Sequence, residues 1–386
     1  MSRHALTAEV IFDGEAMRRD VAVVIDGARI EKVVPVQSAD APIRDLGPGM
    51  LVPGFIDAQV NGGGGVLLNE TPTLEGVRAI AAAHRRFGTT GLLPTVITDA
   101  QDVMEAAAGA VAEAIRYGVP GVLGIHIEGP FIDPARKGAH AEKFIRRPAD
   151  KDIDWLCNLK CGRILLTLAP NCVTPEHIKR LAMAGVIVSL GHSGATAEVA
   201  LAAIDAGARG FTHLFNAMSQ LNGRAPGMVG AALTHPEAYC GVIADGAHVH
   251  PMALCAALNA KPQGRLFFVS DAMPSAASGP LAFSLQGRPV HVEEGRLLLA
   301  DGTLAGSHIT MADAVDYGRQ VLGLKNEDAL NMASRTPAAF LGLDQQLGRI
   351  TSGYRATMVL LRSGGTNKTY KVLATWIDGQ MTDGMI

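Results

Sequence analysis

ILLTLAPNCVTPEHIKRLAMAGVIVSLGHSGATAEVALAAIDAGARGFTHL, residues 164–214, carries the pattern that decides the fold. Three apolar runs end at Leu168-Ala169, Leu190-Gly191 and Thr212-His213, and each reads as a short strand. Between them, Pro175 to Ala184 and Ala197 to Ala206 carry helical patterns. The first helix has clear start signals, with Thr174 as N-cap and Pro175 in the first turn. Strand, helix, strand, helix, strand is the unit of a parallel α/β fold.

The alternation continues in both directions. Upstream strand candidates end at Ala58-Gln59, Pro94-Thr95 and Ile127-Glu128, with helical patterns from Leu74 to Arg86 and from Val103 to Tyr117. Downstream candidates end at Ala244-Asp245 and Ser270-Asp271. Eight such strands over about 220 residues predict a (β/α)₈ TIM-like barrel rather than a doubly wound sheet. Leu281 to Leu304, with its Gly-Arg and Glu-Gly turns, is expected to form a hairpin hung on the last barrel strand. Both chain ends have another texture. Leu6 to Phe12, Val21 to Ile25, Arg29 to Pro35, Thr357 to Arg362 and Val372 to Ile377 are strand-like, several bounded by Asp-Gly turns. They predict a small β-sandwich domain built from residues 1–52 and 345–386 around a barrel domain of residues 53–344.

Composition agrees with a large core. Of 386 residues, 48% are hydrophobic and 18% charged, so disorder is not expected. The formal charge of −3 comes without a Lys/Arg run, which argues against nucleic acid and anionic membranes as partners. The first residues lack the apolar run of a signal peptide, and no stretch reaches about 18 uninterrupted apolar residues, so a cytoplasmic protein is expected. Cys157, Cys161, Cys172, Cys240 and Cys255 are scattered without zinc-finger spacing and read as free thiols.

The ends of the strands carry the chemistry. Glu128 ends the third strand, His192 follows the fifth, His213 ends the sixth, His248 follows the seventh and Asp271 ends the eighth. In a (β/α)₈ barrel these ends converge on one face, where active sites sit. Two histidines and a carboxylate make a three-ligand zinc or iron site with an open position for water, and Asp271 has the chemistry to exchange a proton with it. Taken singly, each residue has a plain structural role: a strand-end histidine is usually just hydrogen-bonded, and Glu128 could cap a turn. Their coincidence at equivalent strand ends argues for a site.

Several segments are similar to those of a known family. Pro53-Gly54-Phe55-Ile56-Asp57, His126-Ile127-Glu128-Gly129-Pro130-Phe131, Lys137-Gly138-Ala139-His140 and Gly191-His192-Ser193 resemble the N-acetylglucosamine-6-phosphate deacetylases. So do Thr212-His213-Leu214-Phe215-Asn216-Ala217-Met218, Asp245-Gly246-Ala247-His248 and Ser270-Asp271-Ala272. The resemblance implies metal-dependent removal of the acetyl group from N-acetylglucosamine 6-phosphate, with Glu128, His192 and His213 as metal ligands and Asp271 as the acid/base. It also implies substrate contacts from Ala139, His140, Asn216, Ala217, Arg224, Asp245, Gly246, Ala247, His248, Leu304, Ala305 and Gly306. Arg224 would hold the phosphate, and in this family it can come from the partner subunit, which implies a homodimer. The galactosamine epimer is the nearest rival substrate. A barrel that binds without catalysis is the rival of another class.

One departure from the wider amidohydrolases bears on the metal count. Many carry His-x-His after Pro-Gly-Phe-Ile-Asp and use it for a second metal, whereas this chain has Gln59 and Asn61. Neutral amides are weak transition-metal ligands beside imidazole, so one divalent metal per subunit is expected, zinc first and iron(II) second. His126 points to the same strand face as Glu128 and reads equally as a supporting group or a packed one. His250 is expected to be structural. Asn61 to Gly65 lacks the Lys-Ser/Thr and helix of a phosphate loop and is expected to be a flexible loop at the barrel mouth.

Overall fold

The computed structural model describes residues 3–364 and 369–384. Eight parallel strands form one sheet in simple sequence order: β1 (Phe55–Val60), β2 (Thr89–Ile97), β3 (Gly124–Glu128), β4 (Arg163–Leu168), β5 (Ile187–Leu190), β6 (Gly210–Phe211), β7 (Tyr239–Val242) and β8 (Leu266–Phe268). The seam closes just beyond β8, where the Asp271 amide donates to the Gln59 carbonyl at 3.0 Å and Val60 bridges Ala272 in parallel. The expected barrel is therefore present.

Seven helices connect successive strands: α1 (Leu74–Arg85), α2 (Gln101–Arg116), α3 (Asp150–Asn158), α4 (Pro175–Met183), α5 (Ala197–Asp205), α6 (Gly227–Thr234) and α7 (Pro251–Ala260). The eighth, α8 (Met311–Gln320), follows an insertion. Thr73, Thr174, Thr196 and Thr310 cap α1, α4, α5 and α8, each hydroxyl accepting from a backbone N–H three residues on. Each such cap is worth about 0.5–2 kcal/mol.

Side-chain alternation explains the layering. Ile125 and Ile127 on β3 pack outward with Val96, Val111 and Leu166 against the helices. His126 and Glu128 take the inner face, as a period of two requires. Leu93 and Leu165 form an apolar floor with Phe267, Val269 and Phe340, and the Phe267 and Phe340 rings stack 4.8 Å apart. The candidate residues Glu128, His192, His213 and Asp271 lie at the other end of the strands.

The chain ends build two further sheets. One is six-stranded, running through Gln380–Gly384, Thr369–Ile377, Met358–Gly364, Met50–Pro53, Val10–Phe12 and Met17–Arg18. The other is four-stranded, from Arg29–Pro35, Val21–Asp26, His4–Thr7 and Ile43–Asp45. The single strand expected over Leu6 to Phe12 is two, His4–Thr7 and Val10–Phe12, one in each sheet. Leu6 and Ile11 both enter the core shared by the sheets, with Val23, Leu51, Leu360 and Trp376, so an unbroken apolar pattern conceals the corner.

Two other expectations are corrected. The insertion is a three-stranded antiparallel meander, Ala282–Leu285, Arg288–Glu293 and Arg296–Leu298, rather than a hairpin. The glycine segment is not a flexible loop. Gly62–Gly63 pairs with Val66–Leu67, and Gly62, Gly64 and Gly65 donate to the carbonyls of Ala272, Ala276 and Pro274. A Cβ on Gly62 would stand 2.2 Å from the Val66 carbonyl, and one on Gly63 would stand 2.5 Å from the His84 ring. The glycines thus allow tight packing. Among the described residues no helix is long and apolar enough to cross a membrane.

A candidate metal centre at the barrel mouth

Three candidate site residues sit where the chain turns out of a strand. His192, His213 and Asp271 have positive φ, at 47°, 31° and 52°, just after β5, β6 and β8. Non-glycine residues there cost about 1–3 kcal/mol each, a strain typical of functional sites. All three, with Glu128, are at most 9% exposed.

The donor atoms converge. Glu128 Oε1 lies 3.1 Å from His192 Nε2 and 3.0 Å from His213 Nε2, and the two Nε2 atoms are 3.0 Å apart. Donors of a four-coordinate zinc, each about 2.0–2.1 Å from the ion, stand about 3.3 Å from one another. The triangle is slightly tighter than that, and its N/N/O composition suits zinc or iron(II). His192 Nδ1 bonds the Arg136 carbonyl at 2.9 Å, which turns Nε2 toward the other donors. His213 Nδ1 is buried and has no hydrogen-bond partner among the described residues. A second set shares two members: donors of Glu128, His192 and His140 all lie within 4.8 Å of one another. The His213 set is the more compact, and His140 commits Nδ1 to Thr98 Oγ1 at 2.7 Å.

Gln59 and Asn61 behave as donors. Gln59 Nε2 lies 3.2 Å from Glu128 Oε2 and 3.0 Å from Asp271 Oδ1, and Asn61 Nδ2 lies 2.7 Å from the same Asp271 oxygen. Burial, helped by the Glu128 charge, pushes the Asp271 carboxyl up to about 6, against the pull of His213, His248 and Asn61. Burial also acts to raise Glu128, but hydrogen bonds from His192 and His213 hold it well below the ordinary carboxylate range.

Beneath this centre a belt of hydroxyls and one histidine crosses the barrel. The Val60 amide donates to Thr95 Oγ1 at 2.8 Å, and Thr95 meets His126 Nδ1 at 3.1 Å. His126 Nε2 meets Thr167 Oγ1 at 2.8 Å, Thr167 meets Thr212 at 2.6 Å, and Thr212 reaches Ser189 Oγ at 2.7 Å. One consistent arrangement has each group donating toward Ser189, with His126 protonated on Nε2. His126 is thus a supporting group below Glu128, joining β2 to β4. His250 serves as the N-cap of α7 through its side chain, a structural role as expected.

Above the centre opens a cavity of about 350 Å³. Its lining includes Glu128, His192, His213 and Asp271, with Ala139, His140, Asn216, Ala217, His248, Leu304, Ala305 and Gly306. Asp245, Gly246 and Ala247 are not on the wall. Instead Asp245 grips His248 Nδ1 at 2.6 Å and accepts from the Ala247 and His248 amides, which aims the ring. Arg224 does not line the cavity of its own chain; it is exposed in the loop before α6. Asn61 also lines the cavity, and sequence reasoning missed Ile97, Ala135, Arg136, Gly138, Ile243, Met273, Leu285 and Thr303, which complete the wall. For Arg136 a signal existed, since Asp133-Pro134 starts a short 3-10 turn directly before the Lys-Gly-Ala-His segment.

Known proteins share this architecture. The amidohydrolase family profile matches residues 50–382. The N-acetylgalactosamine-6-phosphate deacetylase of Shewanella sp. (strain ANA-3) is 47% identical over 380 residues, covering 97% of this chain and 94% of its own length. The N-acetylglucosamine-6-phosphate deacetylase of Haemophilus influenzae is 33% identical, covering 98% of this chain and 99% of its own. The crystal structure of the N-acetylglucosamine-6-phosphate deacetylase from Pasteurella multocida superposes with a TM-score of 0.94 at 34% identity, over 99% of this chain and 100% of that one. The chain belongs to the amidohydrolase family, a metal-dependent family of hydrolases, and has a donor cluster able to hold a metal.

Proposed function

We propose that the chain hydrolyses the acetamide of N-acetyl-D-glucosamine 6-phosphate to D-glucosamine 6-phosphate and acetate. One divalent metal per subunit would be held by Glu128, His192 and His213. The observation that carries this is the Glu128–His192–His213 donor triangle, with edges of 3.0–3.1 Å, under a cavity bordered by Asp271. Full-length similarity to deacetylases of 6-phosphorylated acetamido sugars supports the substrate class.

When bound, the metal, zinc first and iron(II) second, would supply Lewis acidity toward the acetyl carbonyl and ease deprotonation of water. The chain's own groups do the rest. Gln59 and Asn61 hold Asp271 Oδ1, and Oδ2 takes no hydrogen bond from the described residues. Asp271 takes a proton from the attacking water and then delivers it to the departing nitrogen, which would otherwise leave as an amide anion. A carboxyl raised to about 6 is well placed to do both near neutrality. His140 and His248 hold the sugar and acetamide, together with Ala139, Asn216, Ala217 and Leu304 to Gly306, while Asp245 to Ala247 orient His248. The working unit in this proposal is a cytoplasmic homodimer in which Arg224 contacts the partner's substrate. Residues 1–52 and 345–386 form its small β domain, and 53–344 its barrel.

The galactosamine epimer is the alternative substrate, the sugar named for the Shewanella relative at 47% identity, while the Haemophilus and Pasteurella relatives are named for the gluco epimer. The test is acetate release from each 6-phosphorylated epimer after reconstitution with zinc or iron(II). Faster turnover of the gluco epimer is expected. Faster turnover of the galacto epimer would select the alternative, and no acetate from either would leave a binding protein.

A further inference from the structure

The cavity holds one cation that the proposed reaction leaves unused. Among its lining residues Arg136 is the only lysine or arginine. Neighbouring Lys137 is tied to Glu142, and Arg288, from the meander, is tied to the Ala139 carbonyl. The Arg136 guanidinium makes no hydrogen bond or ion pair with any described residue, and the residue is exposed.

The backbone beneath that side chain is fixed. Asp133 Oδ1 accepts from the Ala135 amide at 3.0 Å, and the Arg136 amide donates to the Asp133 carbonyl at 2.8 Å. Asp133 Oδ2 is itself held by Asn171 and the Gly194 amide. The Arg136 carbonyl bonds His192 Nδ1 at 2.9 Å. One residue thus links the candidate metal centre to the cavity mouth. Its main chain orients a ligand, and its side chain, which feels the Asp133 charge but forms no ion pair with it, presents a planar cation to whatever enters. The deep carboxylates do not need it as a counter-ion, because Glu128 faces His192 and His213 and Asp271 faces Gln59 and Asn61.

We propose that Arg136 binds the phosphate of the substrate from within the same chain. This inference rests on the proposed function. It places a phosphate-reading group in every subunit's own cavity, where Arg224 is not found. A guanidinium fork suits two phosphate oxygens at once, and it can do so without first breaking an ion pair.

The test compares kcat/KM for N-acetylglucosamine 6-phosphate and for N-acetylglucosamine in the parent, Arg136→Ala, Arg136→Lys and Arg224→Ala. Inhibition by inorganic phosphate and metal content are measured alongside. Charge-assisted hydrogen bonds of this kind are worth about 1.5–3 kcal/mol, so Arg136→Ala should lower the phosphorylated-to-unphosphorylated ratio by roughly ten- to a hundredfold. Arg136→Lys should recover part of it, and the inhibition constant for phosphate should rise in Arg136→Ala. An equal loss on both sugars would mean the side chain only steadies the turn under His192, and would overturn the inference. So would a high parent ratio that survives Arg136→Ala and falls only in Arg224→Ala. A parent ratio near one would instead sink the proposed substrate, and the inference with it.

Discussion

Asn61 Nδ2 stands 2.7 Å from Asp271 Oδ1, and Gln59 Nε2 donates to the same oxygen from 3.0 Å. In two-metal amidohydrolases the corresponding strand end offers imidazoles. Here it offers amides whose N–H groups point at carboxylates and whose oxygens, Asn61 Oδ1 among them, are weak transition-metal ligands beside imidazole. The first strand has become a cradle for the proton carrier, which is the physical reason to expect a single metal.

Asp271→Asn should fold, keep its metal and lose turnover by at least about a hundredfold, the usual scale for a general acid–base group. Asn61→Leu removes one donor to the same carboxylate. With such bonds worth about 1.5–3 kcal/mol, its kcat/KM should fall by roughly one to two powers of ten. Steady-state rates and metal analysis on the two variants check this. Asp271→Asn within a few fold of the parent would mean another group carries the proton.

The two overlapping donor sets differ in His213 and His140. If His213 is the ligand, His213→Ala should lower metal occupancy and activity together, while His140→Ala should keep its metal and lose activity. Metal content after dialysis decides between them. Retained metal in His213→Ala with loss in His140→Ala would select the other set.

The hydroxyl belt predicts an order among variants at one position. Thr167→Val keeps the shape but leaves His126 Nε2 without its partner, a cost of about 1–3 kcal/mol, while Thr212 keeps its bond to Ser189. Thr167→Ser keeps the hydroxyl and loses only a methyl. Thermal unfolding should therefore place Ser above Val in stability. The reverse order would mean that packing, not the hydrogen bond, matters at this layer.

Asp57 is fully buried, and burial pushes its carboxyl up to about 7 despite hydrogen bonds from Ser270 and Gln59. A folded-state value raised above the ordinary 3.8 means that its contribution to stability is full below that value and is lost as pH rises through 7. In metal-stripped protein, Asp57→Asn should therefore gain stability relative to the parent between pH 5 and 8, by at most about 3 kcal/mol, since about two pH units of the titration window fall in that range. Denaturant melts at the two pH values measure the gain. A difference between variant and parent that does not change with pH would show that Asp57 is already ionised at pH 5.

The barrel and its strand-end residues were legible because their signals are local. The eight apolar runs and their intervening helices name themselves, and Glu128, His192, His213 and Asp271 sit at strand ends by position alone. What stayed hidden depends on distant partners. The break between Thr7 and Val10 leaves the apolar alternation intact, because both halves face one core. The Gly62–Gly63 ladder is held by Ala272 and its neighbours about two hundred residues away, a closure whose entropic cost grows only slowly with length. Arg136 looks like any surface arginine until its carbonyl is seen against His192, and Arg224 lies outside the cavity that its motif suggests it serves.

A single metal held by Glu128, His192 and His213 is tested most directly by acetate release from N-acetylglucosamine 6-phosphate while zinc or iron(II) is titrated into metal-stripped protein. Activity should rise from near zero in proportion to added metal and level off at one equivalent per chain. Full activity in the stripped protein, or a plateau reached only at two equivalents, would contradict a single metal held by Glu128, His192 and His213.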